Sequence, residues 1–344
     1  MSTDETLTIG GQSFRPGEKG VVELPLGSLI DYQPVSMTVE VRRGKLPGPT
    51  MLLLAGVHGD ELIGVETLRR VLKSKSLQSL RGTLIVVPVV CMPAFLARTR
   101  YLPDRRDLNR LFPGSPDGSF GGRLAATFVE EVVSRCTHAI DFHAGAVGRP
   151  NLPQIRVTTG DEGALELAKA FQPPAVIETG LREGSLRSVF SKMGIPSLLY
   201  EAGEAHRLDP SSVRYGLRGV FSVLRHLEML PPLKRKSPPK SKTIIASGTS
   251  WVRAPQGGVL TSLVDLGQAV TPYTKLGLVG DPFGRHETPI TTGMDGFIIG
   301  INRLATADEG DALFHIATVS NPEHAEAHIL RSDELMEEHT DPLR

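Results

Sequence analysis

Four consecutive apolar residues, Met51–Leu54, run through Ala55-Gly56 into a polar turn holding His58, Gly59, Asp60 and Glu61. The turn opens onto Leu62–Leu72, where apolar residues recur at helical spacing. A short apolar run bounded in this way reads as a buried strand. Gly82–Val90 is a second, longer run of the same kind. Strand, helix, strand at this distance confines the chain to a βαβ unit and so to a largely parallel sheet. Such sheets build their sites in crevices at the carboxyl ends of strands, which is where His58 and Glu61 fall.

Three positions apart, His58 and Glu61 can bring an imidazole nitrogen and a carboxylate oxygen to one cation, both good donors to zinc. Alone, the pair is explained as well by a capping Glu beside a polar His. A third donor changes that balance. Thr137–Gly145 is another strand-like run, with His143 at its carboxyl end and Asp141 on the same face two residues earlier. His58, Glu61 and His143 form the two-His, one-carboxylate set of a catalytic zinc site, about one Zn2+ per chain, with a position left for water. Asp141 is placed to orient a ligand imidazole through its other nitrogen.

The segments GVHGDE (56–61), DLNRLFPG (107–114), DFHAG (141–145) and YEAGE (200–204), in this order, resemble the succinylglutamate desuccinylase and aspartoacylase family. The resemblance spans Gly56 to Gly203. It implies a zinc enzyme on a carboxypeptidase-A-like α/β fold, a mixed sheet with helices on both faces. In the loop Arg98–Arg110, which carries five arginines, it assigns the substrate's carboxylate to Asn109 and Arg110. Arginine's fixed fork suits that task. Arg100 matches the arginine that stabilises the oxyanion, with Arg105 and Arg106 as rivals, and Asp107 is read as holding the loop. A metalloamidase also needs a general base near the attacking water. The strand-like Gly194–Glu204 ends in two carboxylates; the resemblance makes Glu201 the base and leaves Glu204 in support. Arg149, Asn151 and Arg156 follow the His143 strand and are candidates for the acyl pocket. His206 reads as a loop histidine.

The expected reaction is zinc-dependent hydrolysis of a small N-acyl amino acid. A peptidase on the same scaffold and a non-catalytic binding or carrier protein are the rival readings. Equal numbers of basic and acidic residues, 38 each, give no electrostatic reason for a nucleic-acid or anionic-membrane partner. A homo-oligomer is compatible with the sequence. The longest apolar stretch, Thr83–Ala97, is interrupted by Pro88 and Pro93 and too short to span a bilayer. The N-terminus shows no secretory pattern, so the expected location is cytoplasmic. Cys91 and Cys136 read as buried free thiols.

Residues 1–230 read as the hydrolase domain, with β structure ahead of the main sheet and a turn at Lys45–Pro49. Helices are expected at Arg123–Cys136, Glu162–Phe171 and Ser211–Leu230. Residues 231–242, rich in Pro and Lys, read as a linker. Residues 243–320 change to short β runs in two similar halves, 254–279 and 292–317, which resemble the barrel-sandwich hybrid of biotinyl and lipoyl domains. No lysine for a swinging arm stands at Arg285-His286-Glu287-Thr288. Residues 321–344 read as a polar tail with a short helix, whose His324 and His328 lack the arrangement of a metalloprotease helix.

Overall fold

The computed structural model of the chain describes residues 6–233 and 243–338. Most of the expected linker lies outside the described residues. Leu7–Ile9 (β1) and Gln12–Phe14 (β2) form a small hairpin, and Lys19–Ser28 (β3) and Pro34–Arg43 (β4) form a longer one. In β3 and β4 the buried residues Val22, Leu24, Leu26, Val35, Met37, Val39 and Val41 alternate with exposed or half-exposed ones, the period-two pattern of a half-buried strand.

The βαβ core follows. Leu46–Leu54 (β5) leads to Leu62–Lys73 (α1) and Arg81–Val87 (β6). Met92–Ala97 (α2) and Phe120–Glu131 (α3) precede His138–Gly145 (β7) and Asn151–Thr158 (β8). Glu162–Phe171 (α4), Ala175–Thr179 (β9), Leu186–Lys192 (α5), Ser197–Glu204 (β10) and Pro210–His226 (α6) complete it. The sheet runs β3-β4-β6-β5-β7-β10-β8, with β9 beside β8. Strands β6, β5, β7 and β10 are parallel, so their carboxyl ends share one edge. Met51, Leu53, Phe142 and Tyr200 pack on one face with α1, α4 and α6. Leu52, Leu54, Ile85 and Ala139 pack on the other with α2, α3 and α5. Burial of each large side chain contributes about 1.5–3 kcal/mol, and a parallel sheet needs both faces covered.

Ile244–Ala246 (β11) extends β9 in parallel. Thr249–Arg253 (β12), Gly258–Ser262 (β13), Ala269–Val270 (β14) and Lys275–Gly280 (β15) are then echoed by Glu287–Thr291 (β16), Gly296–Ile301 (β17), Thr306–Ala307 (β18) and Ala312–Thr318 (β19). The two halves exchange strands: β13 pairs with β15 and takes β18, while β17 pairs with β19 and takes β14. The doubling read in the sequence is thus a structural repeat, two layers closed over Leu260, Leu276, Ile290, Ile298 and Phe314. One layer continues the main sheet, Gly300 of β17 standing opposite Asn151 of β8. Pro322–Glu338 (α7) buries Ala325 and Ile329, and Asp333 accepts a 2.8 Å hydrogen bond from the Tyr215 hydroxyl on α6. Among the described residues no helix is long and apolar enough to cross a membrane.

The structure departs from the sequence reading in several places, among them helix α6, which ends at His226 rather than Leu230. Lys45–Pro49 is not a turn but largely the start of β5, across a register shift where Gly48 lies against the Gly82 backbone. The segment after His143 contains a strand, β8, which Pro153 disguised; Pro153 sits where β8 bulges against β10. Helix α3 starts at Phe120, not Arg123, because the Ser119 hydroxyl caps the Gly122 N–H and Gly121 fits against Leu102. Strand β9 and helix α5 had no reading at all.

Candidate active site

The turn between β5 and α1 is shaped by its glycines. Gly56 adopts φ +62, and a Cβ on Gly59 would lie 2.0 Å from the carbonyl of Ala94. That close approach of the turn to α2 buries His58 and Glu61 at the sheet edge. His143 reaches the same point from the end of β7, and Glu201 on β10 stands opposite it in register.

Glu61 is the hub. Its Oε1 accepts from His58 Nδ1 at 2.6 Å and Arg100 Nη1 at 3.2 Å; its Oε2 accepts from His143 Nδ1 at 2.9 Å and the Ala144 N–H at 3.0 Å. Each imidazole is held from behind by a carboxylate, His58 Nε2 by Asp107 at 3.0 Å and His143 Nε2 by Asp141 at 3.1 Å. Burial alone would lower both histidine pKa values. Asp141 and Glu61 overcome it at His143, raising that pKa well above 6.5, and Glu61 with Asp107 raises His58. Burial would raise Glu61, but the two histidines hold it below the carboxylate range.

These donors fit a metal ion. Ligand atoms of His58, Glu61 and His143 lie within 4.8 Å of one another. With each Nε2–H kept on its carboxylate, a neutral imidazole turns its Nδ1 lone pair toward the space shared with Glu61. Buried two-imidazole, one-carboxylate donors with outer carboxylates match a zinc centre. His324 and His328 do not belong to any such group among the described residues.

A cavity of about 300 Å³ opens beside this centre. Of the residues singled out in the sequence, it is lined by His58, Glu61, Arg100, Asn109, Arg110, Asp141, His143, Arg156 and Glu201. Arg149 is not brought in: its N–H closes a turn onto Ala146, and it does not line the cavity. Of the three rival arginines, Arg100 lines the cavity, and its guanidinium bridges Glu61 and Asp107. Arg105 sits at φ +63 in the loop, and Arg106 pairs with Asp104 at 3.7 Å on the exposed side. Glu204 pairs with Arg207, away from the cavity. Asn109 Oδ1 accepts from the Leu186 N–H at 2.9 Å, which leaves its amide N–H groups for a ligand.

Sequence reasoning missed Arg182, Ser185 and Arg187, which also line the cavity. Their signal was present, two arginines following a short apolar run, Ala175–Ile177, at a strand's carboxyl end. Burial and then the charge of Arg156 lower the Arg187 pKa. Burial likewise lowers Arg110, with Arg182 and Arg100 adding to it against Asp107. The cavity therefore suits anions. Asp107, expected only to hold its loop, also orients His58. Asp107→Asn should weaken zinc binding about 10- to 100-fold in a chelator competition; unchanged affinity would return Asp107 to a loop-holding role.

Both cysteines are buried and free, and burial pushes their thiols up to about 11 at Cys91 and about 12 at Cys136.

The succinylglutamate desuccinylase/aspartoacylase catalytic domain family matches residues 47–227. Nα-acetyl-L-2,4-diaminobutyric acid deacetylase of Halomonas elongata is 29% identical over 316 residues, 88% of this chain and 92% of that protein. A succinylglutamate desuccinylase/aspartoacylase structure from Rhodobacter sphaeroides superposes with TM-score 0.77 at 25% identity, covering 88% of this chain and 96% of that one. The product-bound ectoine utilization protein EutE (DoeB) of Ruegeria pomeroyi gives 0.80 at 25% identity, covering 92% and 99%.

Proposed function

The chain belongs to the succinylglutamate desuccinylase/aspartoacylase family, and from that premise we propose that it is a zinc-dependent hydrolase of the amide bond in small N-acyl amino acids. One observation carries the reading: a ring nitrogen from each of two histidines and one carboxylate oxygen converge within 4.8 Å, with Glu201 in register beside His143. His58, Glu61 and His143 would hold the metal. Zinc on such a set supplies Lewis-acid chemistry, making water acidic enough to serve as a nucleophile and polarising an acyl carbonyl.

The protein's own groups supply the rest. Glu201 takes the proton of the attacking water and hands it to the leaving nitrogen, so the amine departs neutral. Arg100, fixed by Glu61 and Asp107, presents its charge where negative charge develops on the acyl oxygen. Asn109 and Arg110 hold the carboxylate of the amino-acid part, and Arg156 and Arg187 keep the remaining wall cationic. Arg156 Nε is buried without a hydrogen-bond partner among the described residues.

The test is amine release from a panel of Nα-acetyl-L-2,4-diaminobutyrate, N-acetyl-L-aspartate and N-succinyl-L-glutamate, beside peptides with free carboxyl termini. The zinc-loaded protein is expected to cleave at least one acyl amino acid and no peptide. Peptide cleavage alone would transfer the site to the peptidase reading; no cleavage of any would leave a binding protein. Arg110→Ala should raise KM about 10- to 100-fold with little change in kcat, the loss of one charge-assisted contact made in ground and transition states alike. A substrate whose carboxylate is amidated should show no such difference between wild type and variant.

A further inference from the structure

Glu201 is held by a residue from the neighbouring strand, and that residue is held by the C-terminal repeat. Across β8 and β10, Gln154 stands opposite Glu201 but Asn151 opposite Gly203. Three steps on β8 thus match two on β10, leaving an extra residue on β8. Such a bulge re-aims the side chains beside it. Asn151 is turned to Glu201, and its Nδ2 donates to Glu201 Oε2 at 3.0 Å. Asn151 is itself only 9% exposed.

Its other end meets β17. Gly300 pairs with Asn151 across the ladder, and a Cβ built on Gly300 would lie 3.0 Å from Asn151 Oδ1 and 3.2 Å from the Cβ of His315. The next residues of the repeat grip the same segment: Ile301 N–H donates to Pro150 O at 3.3 Å and Arg303 N–H to Gly148 O at 2.7 Å. A methyl group at position 300 would crowd the Asn151 amide and the His315 Cβ, so that these neighbours must give by a few tenths of an ångström.

We propose that Asn151 is a positioning residue for Glu201, and that Gly300 of the C-terminal repeat sets the position of the Asn151 amide. The inference rests on Glu201 acting as the base. With Oε2 anchored, the carboxylate cannot rotate freely, and Oε1 is left for the proton in transit. A base misplaced by a fraction of an ångström loses rate without losing substrate binding.

The experiment compares wild type, Asn151→Ala, Gly300→Ala, the double variant and Glu201→Gln, using the acyl amino acid of the panel that is cleaved fastest. Melting temperature and zinc content are measured on each. Asn151→Ala is expected to lower kcat about tenfold or more with KM and zinc unchanged. Gly300→Ala should lower kcat less, and it should cost nothing further in the Asn151→Ala background, the signature of one shared route. If Asn151→Ala retains wild-type kcat while Glu201→Gln is inactive, the positioning role is overturned although the catalytic reading stands. An additive Gly300→Ala effect overturns the part assigned to the C-terminal repeat. An active Glu201→Gln overturns the catalytic reading of Glu201 and this inference together. Should Asn151→Ala fail to fold, the kcat-only loss in Gly300→Ala still decides.

Discussion

Glu201→Gln is expected to lower turnover about 10²- to 10⁴-fold while zinc content and fold stay at wild-type levels. The substitution keeps the shape of the side chain and removes only its capacity to accept and return a proton. Glu201 stands outside the converging donor set, one strand over from His143, so losing its charge leaves the proposed metal ligands untouched. Activity assays beside elemental analysis of the same preparation check both halves. Wild-type turnover in the variant would place the base elsewhere, and loss of zinc would make Glu201 part of the metal centre.

The second large effect is expected at His143. His143→Ala should reduce zinc from about one per chain to none, with activity falling to background. The variant removes one of three donors from a site where His58, Glu61 and His143 are all buried, so no solvent-exposed group can replace it. A variant that keeps its zinc would overturn the donor set. The same centre makes zinc uptake dependent on pH with a definite sign. Without metal, Asp141 and Glu61 hold the His143 pKa well above 6.5, and His58 is raised too, so uptake must expel protons. Affinity measured by equilibrium dialysis is therefore expected to fall as pH falls, already on the alkaline side of the ordinary histidine range. An affinity flat between about pH 6 and 8 would contradict it.

Much of the fold was legible because its signals are local. The apolar run Met51–Leu54, the helical spacing of Leu62–Leu72 and the doubled texture of residues 254–317 each describe a few neighbouring residues, and each became the expected kind of element. Helix α4 was read to its exact bounds, since Asp161 caps its start and the apolar face is unbroken. Strand β8 escaped because its signal is not local: a proline is tolerated there only at the bulge that β10 imposes.

The candidate site divides in the same way. Residue chemistry and spacing along the chain pointed to His58, Glu61 and His143, donors at the strand ends where a parallel sheet builds its sites, and the family resemblance pointed to Asn109, Arg110 and Glu201. Tertiary structure alone decided what completes the set. It put Arg100, but not Arg105, Arg106 or Arg149, on the cavity wall, and joined Asp107 to His58 across 49 residues. It also brought in Arg182 and Arg187, and set Asn151 between Glu201 and Gly300. Which side chain fills a cavity depends on distances between segments far apart in sequence. Those distances are set by register, bulges and the backbone contacts that glycine permits, and no spacing along the chain records them.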